Sequence, residues 1–535
     1  MLKESIFRTR PDAMSLKGVT ATSSLQASLI GSKIMERGGN VVDAAIAASA
    51  ALCVTQNNLC GLGGDMFALV RMEGKDIVDY NGSGRSFFRT SIEHFQRLGI
   101  KNLPSRGPNS ALTVPGIVSM WKTLNRDFGT MEISELLHPA ISLASNGFPI
   151  SHNYSSSIET TSRIYGEPKE FQEWNRIFRP GGRTPLPGEI FRQKDLAATL
   201  SDISRDGPDS FYNGNLADRI IKGLEGTGVV MDHEDLEKHR VTKEKPLHTD
   251  YHGHRIYETN PNTQGATVLL WLNIIKEMEE ENPASGEIDL EDVINAGIIS
   301  YQWRNRHITD PDHLSLPADF LTKRYAGDLL HSQEKLKNNN GENRDSGDTT
   351  YFSICDYQGN SVSIIQSNYM GFGSGVMPKS LGFVLQNRGS YFSLDNSHHN
   401  SLKPGKRTFH TLCAAMVEKD GDFRYSLGTM GGDIQPQIHV QMIMNLIDSG
   451  LDPQLSLDMP RWAFPGSIYE KPNTLIFEND LTSMIPGKRF AGLNTKNIGR
   501  YSSQAGHAQI TALTDSGSTM GGSDPRGDGV AIPVL

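Results

Sequence analysis

The sequence predicts an α+β fold, in which helical and strand-rich stretches share one core. Two consecutive helical patterns fill residues 23–56, and a mainly helical, polar pattern extends from residue 130 to about residue 330. By contrast, residues 349–367 alternate and are rich in β-branched and aromatic side chains, which is typical of a β-hairpin. A chain of 535 residues is long enough to bury a large core.

The first two helical patterns follow each other closely. SSLQASLIGSKIMER is followed by Gly38 and Gly39, which can adopt the left-handed conformation that ends a helix. VVDAAIAASAALCV is apolar almost all round, which predicts a buried helix. The glycine-rich GLGGD at residues 61–65 then leads into MFALVRM, whose alternation predicts a strand.

A polar segment precedes the hairpin pattern. NNNGENRDSGD, at residues 338–348, contains no apolar residue and predicts a surface loop. Directly after it, Thr349 opens TTYFSICDYQGNSVSIIQS, which turns at Gly359 and Asn360. A self-cleaving precursor needs a loop that ends at the first residue of a buried strand. An ordinary surface loop before a strand has the same pattern, so the pattern alone leaves both interpretations open.

Charge and composition exclude several classes of protein. The chain has 52 Lys and Arg against 61 Asp and Glu, a net charge of −9, which argues against nucleic acid or an anionic membrane as the main partner. We see no apolar run long enough for a signal-peptide core or for a membrane span of roughly 20 residues, so we expect a soluble cytoplasmic protein. The four cysteines lack Cys-x-x-Cys spacing, which predicts free buried thiols.

Short motifs occur in a fixed order along nearly the whole chain. They are GGNVVDAA (38–45), GLGGD (61–65), VPGIVSMW (114–121), FGTMEISELLHPAI (128–141), DSFYNG (209–214), Thr349–Thr350 with Ser353, Gly431–Gly432 and SDPR (523–526). Through these motifs the chain resembles the γ-glutamyltransferase family of N-terminal-nucleophile hydrolases.

This resemblance implies both a fold and a maturation step. The fold would be a four-layer αββα sandwich, with the Thr349 strand in a central antiparallel sheet and helices such as 41–55 and 433–449 covering the two faces. Cleavage between Asp348 and Thr349 would give a large fragment, 1–348, and a small one, 349–535. The two fragments would build one composite domain and be each other's partners.

Cleavage would make Thr349 a nucleophile with its own base. An internal threonine has no base for its hydroxyl, whereas a terminal threonine carries an α-amine with a reference pKa of about 7.7 to 8.0. The neutral amine can accept the hydroxyl proton, directly or through water. In the precursor the same hydroxyl would attack the carbonyl of Asp348, shift the acyl group from nitrogen to oxygen and be released by hydrolysis.

Gly431 and Gly432 form the predicted oxyanion site. They follow the strand pattern RYSLGTM and precede Asp433, which we interpret as the N-cap of a helix that runs to Gly450. Pro436 is compatible with this helix because it falls in the first turn. Two backbone N–H groups at the positive end of a helix can bind a developing oxyanion. A strand-to-helix turn that merely requires glycine has the same sequence.

The resemblance assigns roles to residues around the nucleophile. Thr350 corresponds to the family's second threonine, which orients the nucleophile, although Tyr351 stands where the family has a histidine. Ser367 corresponds to a hydroxyl residue that hydrogen-bonds the nucleophile.

The family's substrate-binding residues are largely replaced. Asn81 stands in place of the arginine that binds the γ-glutamyl α-carboxylate, and Tyr391 near the place of the acidic residue that holds the α-amine. A Ser-Ser pair becomes His410 and Thr411, and Asp433 replaces the serine after the two glycines. These changes imply that the catalytic apparatus is kept and the γ-glutamyl pocket is rebuilt.

Arg85, Arg388 and His410 are the candidates for binding an anionic substrate group, with a structural salt bridge or a surface position as the alternative for each. We predict hydrolysis of a small-molecule amide rather than transfer, because a hydrolase needs only water as acceptor. The family mechanism requires no cofactor, and we predict no metal. The alternatives are a true γ-glutamyltransferase or glutathione hydrolase, and a catalytically silent homologue that binds a small anion. Homodimerisation stays open.

Overall fold

The computed structural model describes residues 8–166, 168–283, 288–332, 348–464, 466, 473–481 and 492–535. Its α-helices are α1 (Leu25–Glu36), α2 (Val41–Thr55), α3 (Ile92–Arg97), α4 (Ile117–Phe128), α5 (Ile133–Asn146), α6 (His152–Tyr165), α7 (Gln172–Phe178), α8 (Lys194–Asp206), α9 (Asn215–Leu224), α10 (His233–Glu237), α11 (Gly265–Glu281), α12 (Leu290–His307), α13 (Lys323–His331), α14 (Gln435–Ile447) and α15 (Pro453–Asp458). Of the predicted polar loop, only Asp348 lies within the described residues.

The β-strands are β1 (Ala13–Ser15), β2 (Gly18–Thr22), β3 (Asp65–Arg71), β4 (Val78–Asn81), β5 (Phe148–Pro149), β6 (Ile190–Phe191), β7 (Thr242–Glu244), β8 (Leu247–Tyr251), β9 (His254–Glu258), β10 (Asp348–Asp356), β11 (Ser361–Tyr369), β12 (Ala415–Lys419), β13 (Asp422–Thr429), β14 (Trp462–Ala463), β15 (Thr474–Phe477), β16 (Asn494–Asn497), β17 (Ala508–Leu513), β18 (Thr519–Ser523) and β19 (Val530–Val534). The predicted hairpin is confirmed as β10 and β11, which pair antiparallel.

Two seven-stranded antiparallel sheets form the centre of the protein. The first has the order β19-β2-β10-β11-β3-β4-β7, and the second has the order β1-β18-β17-β13-β12-β9-β8. The two sheets pack face to face. A hydrogen bond of 2.8 Å between Ser361 of β11 and Ser426 of β13 crosses from one sheet to the other. The contact is close enough to require glycine at Gly428 in β13, where a Cβ would lie 2.4 Å from the ring of Tyr351 in β10.

Helices cover the outer face of each sheet. The first sheet packs against α1 and α2, and every residue of α2 is buried, as its apolar sequence predicted. The second sheet packs against α11, α14 and α15. This is the predicted four-layer αββα sandwich.

The start of α2 explains part of the GGNVVDAA motif. Gly38 is left-handed, with φ of +95°, which confirms the predicted helix end. The side chain of Asn40 accepts hydrogen bonds from the backbone N–H groups of Val42 and Asp43, and the Asp43 carboxylate accepts the Asn40 N–H in return. This reciprocal cap satisfies backbone donors that a helix start leaves free.

The mainly helical prediction for residues 130–330 is correct for most of this region but omits five short strands, β5 to β9. β5 and β6 form a small sheet of their own, whereas β7 and β8 are edge strands of the two large sheets and β9 lies next to β8. Because one face of β8 is exposed, its sequence LHTDY contains few apolar residues and gives a weak strand signal.

Two further expectations concern the whole chain. Cys53, Cys60, Cys355 and Cys413 are all free and buried, as predicted. Among the described residues, the helices are too short or too polar to cross a membrane.

Candidate active site

Thr349 lies near the start of β10, in the middle of the first sheet. The residue is 1% exposed, so its hydroxyl is shielded from bulk solvent. The pairing of β10 with β11 is irregular between Asp348 and Thr350. The sheet therefore holds the predicted nucleophile at a local break in its regular ladder.

A row of hydrogen bonds joins the Thr349 hydroxyl to the peptide bond that it would attack. Thr349 Oγ1 donates to Ser367 Oγ at 3.2 Å, and Ser367 Oγ donates to the carbonyl oxygen of Asp348 at 2.8 Å. The backbone N–H of Tyr369 also donates to Ser367 Oγ, at 2.7 Å, and fixes its position. This arrangement can pass a proton from the threonine hydroxyl to the carbonyl oxygen.

We expect Ser367→Ala to slow cleavage before Thr349 by about 100-fold, because proton transfer by a positioned side chain typically contributes about 10² to 10⁴ to a rate. The appearance of the two fragments over time, followed by denaturing electrophoresis, measures the effect. Ser363→Ala is the matched control, since Ser363 is also buried in β11 but donates to the carbonyl oxygen of Ala415. Equal cleavage rates in the two variants would contradict the role of Ser367.

Thr350 anchors β10 to the end of α2. Its hydroxyl donates to Gln56 Oε1 at 3.3 Å, and Gln56 Nε2 donates to the carbonyl oxygen of Ser23 at 2.6 Å. Thr350 can thus orient Thr349 by holding the strand. No sequence signal singled out Gln56, which comes from a segment almost 300 residues away.

A cavity of about 620 Å³ opens beside the predicted cleavage site. Asp348 and Gln56 line it, together with Met430 and Gly431 from the end of β13. The fold therefore brings the predicted cleavage site and one of the predicted oxyanion glycines to the same cavity.

The backbone at the two glycines has the conformation that favours glycine. Gly431 has φ of +139° and Gly432 has φ of +58°. A short 3₁₀ turn, Gly432–Ile434, leads into α14, and Pro436 falls in the first turn of the helix as predicted. The turn therefore requires glycine at both positions, and this requirement is compatible with oxyanion binding by the N–H groups of Gly431 and Gly432.

The prediction that Asp433 caps this helix is wrong. The N-cap of α14 is Ile434, and no side chain caps the helix. The carboxylate of Asp433 instead accepts a hydrogen bond from the Tyr391 hydroxyl and lies 3.2 Å from Nη1 of Arg304. Arg304 is fully buried, and a buried cation requires a partner of opposite charge.

Four of the predicted substrate-binding residues lie in one buried cluster. Arg388 Nη1 donates to Thr411 Oγ1 at 2.9 Å, and Tyr391 donates to Asp433. The rings of Tyr391 and Tyr369 are 4.9 Å apart. The structure therefore groups Arg388, Tyr391, Thr411 and Asp433.

Gln264 connects this cluster to the glycine turn. Its Nε2 donates to the carbonyl oxygens of Thr411, at 2.6 Å, and of Gly432, at 2.9 Å. Its Oε1 accepts a hydrogen bond from Arg304 at 2.8 Å. No sequence signal singled out Gln264 or Arg304, because their partners come from distant segments.

Arg388 is a buried cation with spare donors. The residue is 1% exposed, and its guanidinium lies 4.2 Å from the ring centre of Tyr369. Its Nε and Nη2 have no hydrogen-bond partner among the described residues. Burial lowers the pKa of Arg388, because the charged form loses hydration. An anionic ligand would supply the missing partner.

Arg85 lies in a different environment. Its Nη1 is 3.2 Å from Asp310 and its Nη2 is 2.6 Å from Asp312, so its charge is already paired. Arg85 therefore forms a structural salt bridge, which was the alternative to binding an anionic substrate group.

His410 and Asn81 are also engaged by protein groups. His410 Nε2 lies 3.1 Å from Asp65, and burial lowers the pKa of His410 well below its usual value while it raises that of Asp65 to about 7. Burial thus disfavours the charged form of His410, and Asp65 is its hydrogen-bond partner. Asn81 donates to the side-chain oxygen of Asn262 at 3.0 Å.

Within the described residues, one cluster has the side chains of a metal site. Glu258, Cys413 and His439 are fully buried, with His439 Nδ1 2.7 Å from Glu258 Oε1. Cys413 Sγ lies 4.0 and 3.8 Å from the two ring nitrogens of His439. The imidazole of His439 thus pairs with the Glu258 carboxylate and contacts the Cys413 thiol.

Comparison with known proteins agrees with this architecture. A family described as Gamma-glutamyltranspeptidase matches residues 27–534. The chain is 38% identical to the glutathione hydrolase-like YwrD proenzyme of Bacillus subtilis (strain 168), covering 95% of this chain and 97% of that protein. It is 32% identical to the oxamate amidohydrolase proenzyme of Klebsiella pneumoniae subsp. pneumoniae, covering 93% and 95%.

A solved structure is similar over the same extent. The cephalosporin acylase from Bacillus halodurans superposes with a TM-score of 0.88 at 33% identity, covering 98% of this chain and 97% of that one. The chain is therefore an enzyme of the gamma-glutamyltranspeptidase family, within the N-terminal-nucleophile amidohydrolases.

Proposed function

We propose that this protein is an autoprocessed amidohydrolase whose nucleophile is Thr349. The observation that carries the proposal is the hydrogen-bonded row from the Thr349 hydroxyl through Ser367 to the carbonyl oxygen of Asp348. Two relatives are named as proenzymes, which supports maturation into fragments 1–348 and 349–535. Mass spectrometry of the purified protein, combined with an anilide hydrolysis assay, tests cleavage, its position and activity together.

Maturation uses Thr349 on its own peptide bond. Thr349 Oγ attacks the carbonyl carbon of Asp348, its proton passes to Ser367, and Ser367 gives its own proton to the carbonyl oxygen. The carbon–nitrogen bond of the intermediate then breaks while its new hydroxyl group loses its proton and re-forms the carbonyl, that proton passes to the Thr349 nitrogen, and an ester joins Asp348 to Thr349 Oγ. Water hydrolyses this ester and leaves a free carboxylate on Asp348 and a free amine on Thr349.

Turnover repeats this chemistry on a substrate. The Thr349 amine takes the hydroxyl proton while Oγ attacks the amide carbonyl, and the N–H groups of Gly431 and Gly432 bind the oxyanion. The amine then gives its proton to the leaving nitrogen, and water hydrolyses the acyl ester. Loss of one oxyanion donor costs roughly 3 to 4 kcal/mol in comparable enzymes.

We expect the activity of the mature protein to rise with pH as the Thr349 amine loses its proton. The reference pKa is about 7.7 to 8.0, and burial lowers the pKa of an amine because it disfavours the charged form. A profile of kcat/KM from about pH 5 to pH 9 measures this pKa. A flat profile, in a reaction limited by chemistry, would contradict the amine's role as base.

The acyl pocket is proposed to bind an acyl group that has a carboxylate and no ammonium group. Arg388 has two unused donors for the carboxylate. The nearby carboxylate of Asp433 is paired with Arg304 and Tyr391, so it is not free to bind an ammonium group. Relatives named for oxamate and for cephalosporins support acyl groups outside the γ-glutamyl class.

A glutathione hydrolase is the second candidate. Several relatives carry that name, and Arg388 could bind the α-carboxylate of a γ-glutamyl group. A glutathione hydrolase needs a group that binds the substrate's ammonium group, whereas the proposed amidohydrolase does not. Glutaryl and γ-glutamyl anilides therefore separate the two candidates.

A further inference from the structure

The glycine pair Gly431–Gly432 has little local restraint of its own. Glycine lacks a Cβ, so its backbone rotates more freely than that of any other residue. No side chain caps α14, which follows the pair after a short 3₁₀ turn. Among the described residues, the N–H groups of Gly431 and Gly432 donate no hydrogen bond, as an oxyanion site requires. Groups from other parts of the fold must therefore hold this pair in position.

Three side chains from the start of α11 and from α12 hold the backbone of this turn. Gln264 Nε2 donates to the carbonyl oxygen of Gly432 at 2.9 Å. The Tyr301 hydroxyl donates to the carbonyl oxygen of Asp433, and Nη1 of Arg304 lies 3.2 Å from the Asp433 carboxylate. Of these three side chains, Gln264 is the one that contacts the glycine pair itself.

The amide of Gln264 is fixed in one orientation. Its Nε2 also donates to the carbonyl oxygen of Thr411 at 2.6 Å, and its Oε1 accepts from Nη1 of Arg304 at 2.8 Å. Because Gln264 and Arg304 are fully buried, a reversed amide would leave donors and acceptors unsatisfied. The start of α11 is also closely packed, since a Cβ at Gly265 would lie 2.4 Å from the carbonyl oxygen of Thr259.

Maturation and turnover stabilise the carbonyl oxygen with different groups. In the precursor, Ser367 Oγ donates to the carbonyl oxygen of Asp348 at 2.8 Å. In turnover, the N–H groups of Gly431 and Gly432 bind the oxyanion of the substrate. A residue that acts by holding the glycine turn should therefore affect turnover and leave maturation unchanged.

We infer that Gln264 is a positioning residue of the oxyanion site. By holding the Gly432 carbonyl, it limits rotation of the glycine backbone and keeps the two N–H groups aimed at the developing oxyanion. This inference rests on the proposed function, because it needs the glycine pair as the oxyanion site. Gln264 acts through the turn, since it is not among the residues that line the cavity. A misplacement of about 1 Å at a reacting centre can cost roughly 100-fold in rate.

Gln264→Met tests the inference, because methionine is close to glutamine in size and cannot donate to the Gly432 carbonyl. We expect cleavage into two fragments at the wild-type rate, followed by electrophoresis. In the mature variant, kcat should fall by about 100-fold with little change in KM. The loss should be equal for glutaryl and butyryl p-nitroanilides, since both form the same oxyanion. Tyr301→Phe, which keeps the ring and removes the contact to Asp433, should show the same pattern with a smaller loss.

Gln454→Met is the matched control and should keep the wild-type kcat. Gln454 is also fully buried, but its amide bonds to the backbone of Ser523 in β18, at 3.1 Å through each of Nε2 and Oε1.

Three results with Gln264→Met would overturn the inference alone. They are an unchanged kcat, an equal slowing of cleavage and turnover, which a merely structural role would cause, and a loss confined to the glutaryl anilide, which would assign Gln264 to the Arg388 pocket through Thr411. A wild type that neither cleaves itself nor hydrolyses an anilide would overturn the proposed function together with the inference.

Discussion

Thr349→Ala should leave the 535-residue chain uncut and without amidase activity. The methyl side chain has no oxygen to attack Asp348, so neither the ester nor the free Thr349 amine can form. Loss of a nucleophile commonly reduces kcat by about 10⁶-fold, which is the largest effect that we predict. Thr349→Ser keeps the hydroxyl and should still be cleaved and partly active.

Denaturing electrophoresis and mass spectrometry measure this result directly. The wild type should give a small fragment that begins at Thr349, and Thr349→Ala should run as a single 58.9 kDa chain. An active wild-type protein that remains uncut would exclude the proposed maturation. Cleavage at another residue would exclude Thr349 as the nucleophile.

The second large effect concerns the acyl group. Glutaryl and γ-glutamyl anilides differ only by an ammonium group, and a butyryl anilide lacks the carboxylate as well. We expect the glutaryl anilide to be the best of the three, because Arg388 has donors for its carboxylate, whereas the nearby carboxylate of Asp433 is already paired with Arg304 and Tyr391 and does not bind the ammonium group. Loss of one charge-assisted contact costs about 1.5 to 3 kcal/mol, or roughly 10- to 150-fold.

Arg388→Met should therefore lower kcat/KM for the glutaryl anilide by that factor and leave the butyryl anilide nearly unchanged. Arg85→Met is the matched control, since Arg85 is paired with Asp310 and Asp312 outside the cluster. Release of nitroaniline from the three p-nitroanilides measures the rates, and thermal unfolding checks that each variant is folded. A preference for the γ-glutamyl anilide, with no effect of Arg388→Met, would contradict the rebuilt pocket.

The fold was predictable where local signals and long-range packing agree. The helix of α2 is apolar all round and capped by Asn40, and β10 and β11 alternate on either side of a short turn, so near neighbours in sequence decide these elements. The strands β8 and β9 were missed because their identity depends on the sheet edge that they join. A short, half-exposed strand gains most of its stability from its neighbours.

The candidate site divides in the same way. The resemblance to a family singled out Thr349, Ser367 and the glycine pair, and the chemistry of a terminal threonine and the conformational freedom of glycine are consistent with the roles that it implies. The partners of charged side chains were not predictable. Arg85 finds its counter-ions more than 220 residues away, which no local pattern records.

The sequence by itself determined the fold class, the resemblance to a family and the position of the predicted nucleophile. Tertiary structure decided which of the candidate charges are paired with other protein groups. In the sequence, Arg85 and Arg388 are equally plausible anion-binding residues. In the fold, two aspartates neutralise Arg85, whereas Arg388 is buried with two unused donors. The reason is physical: the energy of a charge depends on its burial and on the groups within a few ångströms, and only the folded chain sets both.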